Sequence, residues 1–114
     1  MIDIEASHNL YQVEIGEAKA LFQPGIVGWT ADVQLAFMEA NQLPVPFLQR
    51  HLAGDWGELP EAYQYANVQA LALGYPVLSA YRLQTDIKFL VVTEGNRSAT
   101  TFAMPYEYWQ GATF

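Results

Sequence analysis

A chain of 114 residues that is 52% apolar and only 15% charged has the length and burial material of one folded domain, 1–114, and lacks the composition of a disordered segment. Twelve acidic against five basic residues give a net charge of −7, which repels phosphate backbones and argues against direct DNA or RNA binding. The absence of cysteine excludes disulfides and thiolate zinc sites.

Residues 1–19 carry acids where a signal peptide needs a basic start and an apolar run, and no later stretch has the length and hydropathy of a membrane span. A cytoplasmic protein with no membrane contact is expected. Within residues 1–18 the alternation Leu10, Tyr11, Gln12, Val13, Glu14, Ile15 reads as an arm or an extra N-terminal edge strand. Pro24 and Gly25 mark a turn. Thr30 then stands as an N-cap before a helix over 31–40, with Val33, Ala36, Phe37 and Ala40 forming its apolar stripe and Asn41-Gln42 ending it.

Pro44 and Pro46 permit a restart, and 47–52 reads as a short helix stopped near Gly54. Pro60 and Glu61 open a third helix reaching Leu73, where Gly74 supplies the stop. Beyond Tyr75 the pattern turns to β-rich runs at 77–83, 87–93 and 98–104, joined by short turns that predict an antiparallel meander. The middle run is apolar at every position from Phe89 to Val92, as in a strand covered on both faces. The expected fold is therefore α+β, with N-terminal helices packed on a C-terminal three-stranded antiparallel sheet. The aromatic tail 106–114 is expected to dock on the body.

The most site-like segment runs from His51 through Asp55 and Trp56 to Glu58, an imidazole, two carboxylates and an indole around two glycines. His51, Asp55 and Glu58 are the candidate catalytic residues, since an imidazole beside carboxylates can move protons. A structural reading explains the same residues and is preferred: His51 closes one helix, Asp55 or Glu58 caps the next, and Trp56 fills the core. One His near one Asp is too little for a metal site, so none is assigned. The turn Glu94-Gly95-Asn96-Arg97 offers an acid and a base that pair across a hairpin or face a ligand, with Gly95 and Asn96 suited to positive φ. Trp56, Tyr81, Glu94 and Arg97 are candidate ligand-binding residues, and Ser79, Thr100 and Thr101 lie on strands nearby. Asp86-Ile87-Lys88 resembles the acid-x-lysine piece of metal nucleases, but the preceding strand carries no acid to complete it. Phosphate-loop, dinucleotide and serine-elbow motifs are missing, and no cofactor is expected.

Pro24-Gly25, Arg50-His51, Gly54-Asp55-Trp56-Gly57, Asn67, Ser79-Ala80-Tyr81, Thr93-Glu94, Arg97-Ser98, Thr100-Thr101, Pro105 and Glu107-Tyr108 occur in an order that carries a resemblance. From Leu21 to Tyr108 the chain resembles a family of small uncharacterised bacterial proteins of plasmids and integrated conjugative elements, loosely labelled plasmid-related or restriction-associated. It departs from that family at Gly95-Asn96, where Ala-Asp is usual, and at Thr85-Asp86, where Asp-Gly is usual. The resemblance implies a mobile-element or host-defence setting and no particular reaction.

Low charge and abundant aromatics favour a non-enzymatic protein–protein interaction or accessory factor, self-associating as a homo-oligomer through the sheet or the aromatic tail. One alternative is a small hydrolase or nuclease-like enzyme using His51, Asp55 and Glu58. The other is an acidic nucleic-acid mimic that inhibits a defence enzyme.

Overall fold

The computed structural model describes residues 20–108, so the arm or edge strand expected within 1–18 and the tail beyond Tyr108 lie outside the described residues. In chain order the elements are β1 (Ile26–Trp29), α1 (Ala31–Ala40), α2 (Val45–Leu52), α3 (Glu61–Leu73), β2 (Val77–Arg82), β3 (Lys88–Thr93), β4 (Ala99–Ala103) and a short α4 (Pro105–Tyr108).

The helices start and stop where local chemistry directs. The Thr30 hydroxyl accepts the Val33 N–H at 3.3 Å, and Asn41 takes a left-handed φ of 54° to close α1. The α1 stripe Val33, Ala36, Phe37 and Ala40 is buried. α2 begins two residues earlier than expected, because Pro44 and Pro46 both accommodate a first helical turn. α3 follows Pro60 and ends at Gly74 with φ 76°, yet it buries only Asn67 and Ala70.

β2, β3 and β4 form the expected antiparallel meander, with Val77 opposite Thr93 and Val91 opposite Phe102. The sheet is not three-stranded, however. β1 adds to β4 in parallel, Ile26 opposite Ala99 and Trp29 opposite Phe102, giving a four-stranded mixed sheet in the order β1-β4-β3-β2. Four residues with a glycine among them are too short to display a period-two pattern, so β1 carries no strand signal. Its position is set by tertiary contacts. The Ile26 N–H donates to the Ser98 carbonyl at 3.0 Å, and Gly25 lies so close to Ser98 that a Cβ would meet its backbone at 2.3 Å.

Alternation along the strands places Ser79, Tyr81, Phe89, Val91, Thr93, Thr100 and Phe102 on the sheet face that meets α1 and α2. There Phe37 meets the rings of Phe89 and Phe102, and Phe47 meets those of Tyr81 and Phe89. Every residue from Phe89 to Thr93 is buried, so β3 is covered on both faces. The two sheet edges differ. The outer edge of β2 is occupied: the Asn67 amide donates to the Leu78 carbonyl at 2.6 Å and accepts the Leu78 N–H at 3.1 Å. Beside it the Trp56 carbonyl accepts the Ala80 N–H, and the Glu58 N–H donates to the Ala80 carbonyl. At the other end of the sheet, β1 pairs among the described residues with β4 alone.

No helix among the described residues is long and apolar enough to cross a membrane.

Candidate functional site

The candidate residues gather around the middle of β2, but not as one reactive cluster. His51, in the last turn of α2, points inward and is fully buried. Its Nδ1 lies 2.6 Å from the Ser79 hydroxyl and its Nε2 lies 2.9 Å from that of Thr93. Thr93 lies 2.7 Å from the Thr100 hydroxyl, which donates to the Pro24 carbonyl at 2.7 Å. The chain of bonds thus ties α2, three strands and the segment before β1.

Donor counting gives this chain one direction. The Pro24 carbonyl can only accept, so Thr100 spends its one proton there and must accept from Thr93. Thr93 in turn must accept from His51, which places the proton on Nε2 and leaves Nδ1 to accept from Ser79. The imidazole is neutral. Burial, and then the positive charge of Arg97, push its pKa down to about 3. An imidazole with both nitrogens committed and no exposed surface has no route to a substrate.

Asp55 and Glu58 face other partners. The Asp55 carboxylate takes the Arg50 guanidinium at 2.7 Å and the Gly57 N–H at 3.1 Å. The hydrogen bond from Arg50 chiefly holds its pKa below the usual carboxylate range. Glu58 pairs with Arg82 at 2.9 Å and lies 3.9 Å from the Lys88 ammonium. Arg82 is also the main cause of its lowered pKa. Neither carboxylate caps α3, contrary to the structural expectation: the N-cap of that helix is Pro60, with no side-chain cap bond. Asp86 and Lys88 are likewise engaged, Asp86 with Arg82 at 3.3 Å and Lys88 with Glu58.

Trp56 fills the core, as its indole suggested. Tyr81 is buried, and its hydroxyl donates to the Asp55 carbonyl at 2.5 Å. Desolvation raises its pKa well above the usual phenol value. Arg50 lies over the same ring, 4.5 Å from its centroid.

The turn behaves differently from expectation. Left-handed φ falls on Arg97 at 59°, rather than on Gly95 or Asn96. The Asn96 side chain accepts the Ser98 N–H. The Arg97 guanidinium does not pair with the Glu94 carboxylate. It donates to the carbonyls of Tyr75 at 2.7 Å, Ala70 at 3.0 Å and Glu94 at 3.2 Å, fastening the turn to the C-terminal end of α3. Between this turn and the Asp55 loop stands Phe22, buried, edge-on to His51 at 5.2 Å and stacked on Trp56 at 6.4 Å. Arg97 lies 5.5 Å from the same ring. The two segments therefore flank a filled space, not a shared pocket. Phe22 is a contributor that sequence reasoning passed over, since nothing local in it signals the long-range contact.

Among the described residues no group of three His, Cys, Asp or Glu side chains could hold a metal ion. Compared with known proteins, the chain matches no family model, no curated protein and no solved structure, so its geometry is the ground on which a function can be argued.

Proposed function

We propose that this chain is a non-enzymatic interaction protein that self-associates and serves as an accessory factor of a bacterial mobile element. Its main support is the apolar surface exposed among the described residues. One group lies along β1, α1 and the turn after it: Ile26, Leu35, Met38 at 69% exposure and Leu43 at 73%. A second lies on and just after α3: Tyr65 at 66%, Val68, Leu73 at 62% and Tyr75. α3 is apolar on most sides, carries Glu61 as its one charge, and buries two of thirteen residues. A helix of that kind is ordinarily covered by something.

Catalysis finds less support, because His51, Asp55 and Glu58 are each held by separate partners. Nucleic-acid mimicry finds little more: Asp55, Glu58 and Asp86 are neutralised by arginines, and Asp32 accepts from the Tyr106 hydroxyl. The mobile-element setting rests on the resemblance stated above.

Light scattering over a concentration series tests the reading. Assembly beyond the monomer is expected at micromolar concentration, and a monomer at every concentration would overturn it.

A further inference from the structure

We propose that two copies of this chain join edge to edge through β1, antiparallel about a two-fold axis at Gly28, forming one continuous eight-stranded sheet. The proposal rests on the self-association reading and assigns its surface.

The two edges of the sheet receive opposite treatment. β2 is guarded by the Asn67 amide and by the Trp56 to Glu58 segment. β1 has no guard among the described residues: Ile26-Val27-Gly28-Trp29 contains neither charge nor proline, the usual devices against pairing. Ile26 and Thr30 spend their N–H groups on the carbonyls of Ser98 and Phe102. The alternation of a parallel ladder then turns the N–H and C=O groups of Val27 and Trp29 outward.

That outward set is self-complementary. With Gly28 opposite Gly28, each Val27 faces the other copy's Trp29 as a bonded pair, giving four N–H···O bonds. The glycines meet at the close, non-bonded position, about 4.5 Å between Cα atoms. Among the described residues a Cβ built on Gly28 would meet no atom within 4 Å beyond its chain neighbours, so a side chain can be placed on that face of the strand. Beside the edge lies a cavity of about 550 Å³ lined by Trp29, Phe37, Met38, Asn41, Gln42 and Leu43. The Trp29 indole N–H is buried, with no acceptor among the described residues.

Charge selects the occupant. The groove is uncharged, and from residue 20 to 49 the chain has two acids and no base. A nucleic acid finds no cation there, and a basic partner finds no carboxylate on the groove. Two copies of a chain of net charge −7 meet with least repulsion along such a strip, and an isologous pair leaves only the guarded β2 strands at the ends of the sheet.

The chain lacks cysteine, so Gly28→Cys can form a disulfide only between copies. Mild oxidation should convert it to a covalent dimer. Gly28→Lys sets two ammonium groups opposite each other and should weaken the dimer about tenfold or more, with the thermal midpoint of a dilute monomer unchanged. Val68→Glu on α3 serves as the comparison and should leave the dimer intact. A wild-type assembly dispersed by Val68→Glu yet indifferent to Gly28→Lys overturns edge pairing and leaves self-association standing. A wild type that is monomeric throughout, with Gly28→Cys uncrosslinked, overturns both and gives the edge to the chain's own residues 1–19 or to a foreign strand.

Discussion

His51 is neutral for two reasons that act together: it is fully buried, and the positive charge of Arg97 opposes a second proton on the ring. The unfolded imidazole takes its proton near pH 6.5, whereas the folded one resists until about 3. Between those values the unfolded state binds more protons, so stability falls as the pH falls through that window and is full above it. At about 1.4 kcal/mol per pH unit the loss approaches roughly 4–5 kcal/mol by pH 3. Urea midpoints measured from pH 7 to 4 should show this slope, and His51→Gln should lose about one proton's worth of it. Thr93 is the link on which the chain of bonds turns. Thr93→Val keeps the shape and removes the acceptor for Nε2–H, which should cost about 1–3 kcal/mol by urea unfolding, while Thr93→Ser should recover most of it.

Among the elements, α3 and β2 depend on one side chain more than on apolar contact. Asn67 satisfies both backbone groups of Leu78, groups that a strand at the end of a sheet would otherwise leave unpaired. Asn67→Ala should therefore lower stability by about 2–4 kcal/mol in chemical denaturation, more than a surface substitution on the same helix such as Gln69→Ala. Arg97 fastens the other end of the same helix through carbonyls, which explains why a non-glycine residue tolerates φ 59° there. The connection between α2 and α3 is similarly built: Gly57 carries φ 69° where a Cβ would strike the Ala80 carbonyl at 2.1 Å. That close approach lets the segment pair with β2.

For the whole molecule, charge and apolar surface pull in opposite directions. A net charge of −7 opposes association, and uncharged apolar strips favour it. Raising the salt from about 0.05 to 0.5 M shortens the screening length from above to below 10 Å, so self-association should tighten with salt. Sedimentation velocity across that range checks the direction. Weakening with salt would mean that complementary charges, rather than apolar strips, hold the copies.

Local chemistry in the chain determined the three main helices and the three antiparallel strands. Their signals are short-range: Thr30 and Pro60 at starts, Asn41 and Gly74 at stops, and alternating or continuous apolar runs over 77–104. Burial of Trp56 also followed from residue type. Only tertiary structure decided that Ile26–Trp29 is a strand, because its hydrogen bonds come from β4, more than seventy residues away. The fate of the candidate site was decided at the same level. His51, Asp55 and Glu58 are neighbours in sequence, but the pitch of α2 turns the imidazole into the core toward Ser79 and Thr93. The loop after it leaves both carboxylates at the surface, within reach of arginines.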